Sequence, residues 1–254
     1  MHTNPVKKAL REGKVQLGTS YAVLRSPDVG RILATAGFDW AFVDGEHGWF
    51  GIETIRDICK ESAAAGLMPI VRVADLQYDL VARSLDCGAM GIMLPRVEDA
   101  KLLEKVISWT KYPPLGVRGF GLTSHHLDYT KATIPEVIAH MNENIMVVLQ
   151  IETKKAFDMR DELLSVPGID AVMIGPADFS ISLGAPGEFT HPELVKCMEA
   201  IRDSCDKYGI APGTQTRTLP LAKFWRERGM RFLGCSGEVA MLLERGQEII
   251  AALR

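Results

Sequence analysis

Glu152 and Asp178 each stand close after a short apolar run, the first over residues 145–149 and the second over residues 171–174. Runs of this length, rich in β-branched residues, suit strands buried on both faces of a parallel sheet covered by helices. Between them, residues 154–164 have helical composition and Pro167-Gly168 marks a turn back. A strand–helix–strand unit of this kind delivers both polar tips to one sheet edge, so the two carboxylates are expected to face one site. Their hard oxygens, with water and substrate completing the shell, suit Mg²⁺ or Mn²⁺, with Co²⁺ a further candidate. A capping Asp and a solvated Glu at two helix starts would give the same spacing.

Other residues with chemistry occupy matching positions. Asp44-Gly45-Glu46-His47-Gly48 follows an apolar run, and His47 among carboxylates is a reasonable general base. Arg72 ends the run Met-Pro-Ile-Val, where a buried guanidinium needs either a carboxylate or a substrate oxyanion. Asp86 sits in the last turn of a helix pattern, where negative charge is unfavourable, so a specific partner or a salt bridge is expected. Gly175-Pro176-Ala177-Asp178 opens a helical segment, and its free N–H groups could hold a carboxylate. Together these groups would bind a 2-oxo acid as a metal chelate. The metal and Arg72 would stabilise the enolate left when a C–C bond breaks or a C3 proton leaves. A Schiff-base mechanism needs a desolvated lysine instead. No predicted strand has an interior Lys, and Lys154 and Lys155 lie just past Glu152 as solvated helix-start residues.

These residues need a scaffold that brings many strand ends to one rim. Strand-like segments at 16–20, 39–43, 69–73, 89–94, 145–151, 171–174, 210–213 and 231–235 alternate with helical patterns at 26–36, 52–65, 79–86, 98–109, 192–208 and 219–228. Gly37, Gly66, Gly88, Gly209 and Gly229 close helices as left-handed caps do. Eight alternations in 254 residues predict a single α/β domain over 1–254, a (β/α)8 TIM barrel. An open doubly wound sheet is the alternative, but no GxGxxG follows the first strand. Residues 111–133 form too long a connection for a compact domain. There Gly116, Gly119 and Gly121 surround Arg118, with Ser124, His125 and His126 following. The segment reads either as a lid closing over an anionic substrate or as a surface or oligomer contact.

With 29 basic against 32 acidic residues, nothing suggests nucleic-acid binding or a polybasic membrane patch. The N-terminal stretch lacks an apolar signal region, and no run reaches membrane-spanning length, so a cytoplasmic protein is expected. Cys59, Cys87, Cys197, Cys205 and Cys235 are scattered without a CxxC pair and read as reduced thiols.

The stretches GFDWAFVDGEHG, IVRV, SLDCGAMGIMLPRV, YPPLGVRGFG, VVLQIET and IGPADFSISLG resemble the HpcH/HpaI family of class II pyruvate aldolases over about residues 17–235. The resemblance implies a barrel of the phosphoenolpyruvate/pyruvate type and a reversible cleavage of a 4-hydroxy-2-oxo acid to pyruvate and an aldehyde, in aromatic or sugar-acid catabolism. It implies a divalent metal on Glu152 and Asp178, with Gln150 and the amides of Ala177 and Asp178, in the Gly175-Pro176 turn, holding the pyruvyl part. It also implies His47 as the acid/base supported by Asp86 and Asp44, Arg72 at the developing enolate, and a hexamer, a trimer of dimers, in which a C-terminal helix packs on a neighbour. The chain departs from the family after the seventh strand, where it reads Ala211-Pro212-Gly213-Thr214-Gln215-Thr216-Arg217, and again at Cys235-Ser236-Gly237-Glu238. Both segments bear on the aldehyde's distal group, which Gln215 or Arg217 could read. Either His47 or a water on the metal could carry the proton. The rival readings are an acyl-CoA thioester lyase of the citramalyl-CoA type and a catalytically silent barrel that binds a 2-oxo acid.

Overall fold

The computed structural model of the chain describes residues 1–121 and 127–254. Eight parallel strands pair in chain order and close into a barrel: β1 (Gln16–Tyr21), β2 (Trp40–Asp44), β3 (Met68–Arg72), β4 (Gly91–Leu94), β5 (Met146–Ile151), β6 (Ala171–Ile174), β7 (Gly213–Thr216) and β8 (Phe232–Gly237). The α/β barrel expected from the alternation is present.

Side-chain alternation along each strand places the site. Trp40, Phe42, Met68, Ile70, Met146, Val148 and Phe232 fill the barrel interior, whereas Ala41, Val43, Val71 and Val147 pack outward under the helices. Trp40 stacks on Phe232 at 4.0 Å, and a Cβ on Gly18 would lie 2.1 Å from the Trp40 ring, so only glycine fits there. Because the side-chain period is two, the next inward positions after Phe42, Ile70 and Val148 are Asp44, Arg72 and Gln150, then Glu152. The register keeps them level, with Trp40 beside Met68 and Asp44 beside Arg72. The same parity that fills the interior with apolar rings thus turns polar at the upper rim, where barrel active sites lie.

Helices α2 (Asp28–Thr35), α3 (Ile52–Ala64), α4 (Tyr78–Asp86) and α5 (Ala100–Ser108) follow the first four strands. All five predicted glycine caps have positive φ, from 69° at Gly209 to 100° at Gly88. Three helices escape the apolar-period reading: α1 (Pro5–Arg11), α6 (Ile134–Asn144) and α12 (Glu238–Leu253). α1 closes the barrel's lower end with Val6 and Leu10 and is capped by Asn4, whose side chain accepts from Lys7 N at 2.9 Å. The helical stretch at 154–164 is two short helices, α7 (Lys154–Asp158) and α8 (Arg160–Leu164), parted at Met159. The remaining helices are α9 (Pro176–Ser182), α10 (Pro192–Tyr208) and α11 (Leu219–Glu227).

The seventh strand lies three residues later than expected. Pro212 has no N–H to give a ladder, so Ala211 makes an isolated bridge to Ala171 and regular pairing runs from Gly213 to Thr216 against β8. Arg118 does not cover the site. It is buried against Asp86 at 3.3 Å and sits over the Tyr112 ring at 4.8 Å. Asp86 ends α4, five residues before β4 begins, so this pair lies at the N-terminal side of the barrel, opposite the rim. Ser124, His125 and His126 lie outside the described residues. The five cysteines are free thiols, as expected. No helix among the described residues is long and apolar enough to cross a membrane.

Candidate active site

The turn after β2 is built by one carboxylate. Asp44 Oδ1 accepts from the Glu46 and His47 amides at 3.0 and 3.1 Å, folding the chain back over the strand end. The fold-back needs glycines on both sides. A Cβ on Gly45 would meet the Arg72 carbonyl oxygen at 2.6 Å, and one on Gly48 would meet the Asp44 carbonyl oxygen at 2.0 Å. The motif therefore fixes a backbone conformation that puts His47 at the rim with its ring largely in solvent, 3.8 Å from the Glu46 carboxylate.

Asp44 also grips Arg72 with both oxygens: Nε donates to Oδ1 at 3.0 Å and an Nη donates to Oδ2 at 2.6 Å. The other Nη lies 3.3 Å from Glu46, and the guanidinium rests 5.3 Å from the Phe42 ring centroid. Burial pushes the Asp44 carboxyl up, but the Arg72 hydrogen bonds and charge, aided by the two amides, outweigh it and hold the group below the usual carboxylate range. Arg72 is thereby locked in one rotamer, its fork fixed before any substrate arrives. Glu46 continues the chain of charge to Arg96 Nε at 3.1 Å. Arg96 is in a left-handed conformation, φ 54°, and turns its amide toward Glu152 Oε1 at 3.2 Å. Strain of this kind costs on the order of 1–3 kcal/mol and persists where surrounding contacts over-determine it. The roles of Glu46 and Arg96 are not visible in the sequence beyond their place at strand tips, because a φ above zero on an arginine has no residue-type signature.

Glu152 is buried, yet no Lys or Arg side chain is paired with it among the described residues. Burial, then the charge of Asp178, push its carboxyl above the usual range, against the Arg96 amide and the Gln150 side-chain amide that donates to it. Gln150 Oε1 is itself buried without a partner among the described residues. Two neighbouring carboxylates, the charge of Asp178 making Glu152 harder to ionise, beside an orphaned amide oxygen, are an oxygen-donor set that fits a divalent cation. No group of three or more His, Cys, Asp or Glu side chains placed to hold a metal ion is found among the described residues. Glu152 and Asp178 would be two of the ligands, with water and substrate completing the shell. Gly175 is part of the cradle: a Cβ there would lie 2.7 Å from Glu152 Oε2 and 3.2 Å from Gln150 Nε2. Gly175→Ala is expected to weaken divalent-metal affinity by about 10–100-fold while the barrel stays folded, as read by isothermal titration and circular dichroism.

α9 begins directly above this floor. Its first internal bond runs from Phe179 N to Gly175 O at 3.0 Å, so the N–H groups of Ala177 and Asp178 precede the ladder and remain available to a ligand. His47, Arg72, Gln150 and the run from Gly175 to Asp178 line one open cleft of about 270 Å³, room for a small substrate. Glu152 lies beneath it and Asp44 behind Arg72. Asp86 is not brought there. Within one chain it stands at the other end of the barrel from His47, where burial raises its carboxyl and Arg118 partly offsets that.

Residues 19–239 match the sequence profile of the HpcH/HpaI aldolase/citrate lyase family. The chain belongs to that family. It is similar to 2-keto-3-deoxy-L-rhamnonate aldolase of Escherichia coli O17:K52:H18 (strain UMN026), 37% identical over 197 residues, which are 78% of this chain and 73% of that protein. It superposes on the HpcH/HpaI aldolase from Desulfitobacterium hafniense DCB-2 with a TM-score of 0.91 at 34% identity, covering 97% of this chain and 95% of the other. A family member from Burkholderia cenocepacia J2315 gives 0.91 at 28% identity, with 99% and 100% covered. The aldolase is thus a class II pyruvate aldolase, a carbon–carbon lyase that cleaves a 4-hydroxy-2-oxo acid to pyruvate and an aldehyde. Its three groups of different chemistry (imidazole, guanidinium and carboxylate) come from separate strand ends, as is usual for barrel enzymes.

Proposed function

We propose that Glu152 and Asp178 hold the divalent cation, Mg²⁺, Mn²⁺ or Co²⁺, and that His47 and Arg72 carry out retro-aldol cleavage beside it. The observation that supports this most is the convergence of His47, Arg72, Gln150 and the α9 amides on one cleft above a buried Glu152 with no Lys or Arg side-chain partner among the described residues. Bound there, the cation would chelate the 2-oxo acid and lower the energy of negative charge on its C2 oxygen. The chain's own groups do the rest. The amides of Ala177 and Asp178 and the Gln150 side chain hold the pyruvyl carboxylate and fix its orientation. His47 takes the C4 hydroxyl proton. The C3–C4 bond breaks, C4 leaves as the aldehyde carbon, and the bonding pair passes into the pyruvate enolate. Arg72, already locked by Asp44, directs its remaining N–H toward that developing oxyanion. His47 then returns the proton to C3, giving pyruvate.

His47→Ala is expected to lower turnover at least about 100-fold with metal binding intact, measured by coupling pyruvate release to lactate dehydrogenase and by metal titration. Near-normal turnover would remove His47 from the proton path. Asp86 is far from His47 in its own barrel, so any support it lends comes from a neighbouring subunit. A hexamer, a trimer of dimers, is the proposed assembly. In its favour α12 leaves Leu242, Leu243 and Leu253 exposed at 66%, 58% and 80%, an apolar face that a neighbour would cover. Within it residues 1–254 are read as one barrel domain. Free thiols throughout agree with a reducing, cytoplasmic setting.

A further inference from the structure

Glu238 opens α12 and is its one buried residue, while the helix from Val239 onward is exposed apart from half-buried Met241. A carboxylate is an expensive group to be the part of a helix that enters the fold, unless it is fully hydrogen-bonded. Here it is: Oε1 accepts from the amides of Ala22, Val23 and Leu24 at 3.0, 2.6 and 3.1 Å. Three consecutive N–H groups turned on one oxygen form a nest of the kind that holds anions. The nest pins the chain as it leaves β1.

The tip of β8 is bent to deliver this carboxylate. Ser236 is left-handed, φ 60°, and the register between β1 and β8 slips between Gly18 and Ser20. Two side chains hold the bend, for Ser20 Oγ and Gln215 Nε2 donate to the Ser236 carbonyl at 3.2 and 2.7 Å. A Cβ on Gly237 would lie 2.4 Å from Ser20 Oγ, so glycine lets β8 close on β1. Strain of this kind clusters where geometry serves function. The segment 235–238, expected to bear on the aldehyde, is not part of the cleft lining and turns to β1 instead.

What the nest pins reaches His47. The Trp49 amide donates to the Ala22 carbonyl at 3.1 Å, and the Phe50 ring meets Tyr21 edge-on at 5.8 Å. A Cβ on Gly48 would lie 3.0 Å from the same Ala22 oxygen, so the two loops are in close contact. His47 thus sits between two anchors, the Asp44 carboxylate on its own amide and the Ala22 carbonyl two residues later. Its ring is largely in solvent, so these backbone anchors rather than side-chain packing set where the imidazole stands.

We propose that Glu238 is a positioning residue for His47. Its carboxylate fixes the chain from Ala22 to Leu24, and the Ala22 carbonyl in turn fixes the loop that carries the imidazole. The inference rests on the reading of His47 as the acid/base given above and names what holds it in place.

The test is Glu238→Ala in pyruvate C3-proton exchange with Mn²⁺, with calorimetric Mn²⁺ affinity and circular dichroism on the same preparations. A group misplaced by about 1 Å can cost on the order of 100-fold, so kcat for exchange is expected to fall about tenfold or more. The KM for pyruvate and the Mn²⁺ affinity are expected to stay within about twofold. Glu238→Gln, which keeps an acceptor oxygen at the nest, should recover most of the lost kcat, and it carries the same comparison if the alanine variant does not fold. In the His47→Ala background either substitution should cost less than about twofold, because the group it acts through is gone. An equal loss in both backgrounds overturns the proposal. So do a pyruvate KM and Mn²⁺ affinity that worsen in step with kcat, which would make Glu238 a support of the rim as a whole. Exchange lost in His47→Ala but normal in Glu238→Ala sinks this proposal alone. Normal exchange in His47→Ala sinks the acid/base reading and this one with it.

Discussion

Glu152→Gln is expected to weaken divalent-metal binding by at least about 100-fold and to lower retro-aldol turnover in proportion. The amide is nearly the size of the carboxylate and keeps its place beside Gln150 and Gly175, so the loss is one of charge rather than of packing. The apo enzyme should be no less stable than wild type and is expected to be slightly more so. The sign follows from the raised carboxyl. Burial and Asp178 make the ionised form costly in the folded state, a cost fully present above the folded pKa and gone below the unfolded one. A neutral amide at this position carries no such cost at any pH. The same raised value predicts the acid limb of metal binding in wild type. Protons displace the cation at a higher pH than an ordinary glutamate would allow, so affinity for Mn²⁺ falls earlier on acidification than it would at an ordinary carboxylate site. Calorimetric Mn²⁺ titration of both proteins at several pH values checks this. Equal Mn²⁺ affinity in wild type and Glu152→Gln would remove Glu152 from the metal shell.

Arg72→Met is expected to cost about 10²–10³-fold in kcat, the usual effect of removing one oxyanion donor, and to lower thermal stability as well. Both side chains of the Asp44–Arg72 pair are nearly buried, at 7% and 12% exposed. Removing the guanidinium leaves Asp44 ionised without its partner, a loss of about 3–5 kcal/mol for a buried pair. Asp44 titrates low in the fold, so the stability from this pair is fully present above the unfolded carboxyl pKa and is lost as pH falls through the folded one. The variant should therefore lose stability at neutral pH and show a flatter acid limb. Arg72→Lys separates the two roles. A lysine can neutralise Asp44 but cannot span both of its oxygens while reaching Glu46, so stability should return in part while kcat stays low. Urea denaturation and steady-state kinetics on the two variants decide it. A lysine variant with full activity would show that charge alone, and not the locked fork, serves the reaction.

The rim is legible in the sequence because period two and buried strands are both visible as residue types. Once 145–149 and 171–174 read as strands buried on both faces, Glu152 and Asp178 have to emerge on one edge. Asp44 and Arg72 follow from the same alternation. What stays hidden depends on backbone or distant partners. Arg96 adopts a left-handed turn that no arginine announces, and Glu46 bridges two arginines from different strands. The expected β7 falls early because the apolar pair at 210–211 outweighs the break at Pro212. The helices α1 and α12 escape the pattern because each buries little within the chain or places its apolar residues at an end rather than along a stripe. The specific partner that the sequence predicts for Asp86 is Arg118 in this chain. Its distance from His47 cannot be read from sequence order.

The most direct test of the account is pyruvate C3-proton exchange into D₂O, followed by NMR on the purified enzyme before and after EDTA and with Mg²⁺ or Mn²⁺ restored. It needs no knowledge of the aldehyde. Exchange that EDTA abolishes and the metal restores, and that Glu152→Gln loses, is the predicted result. Exchange that continues unchanged in EDTA would point to a Schiff-base lysine and contradict the assignment of Glu152 and Asp178.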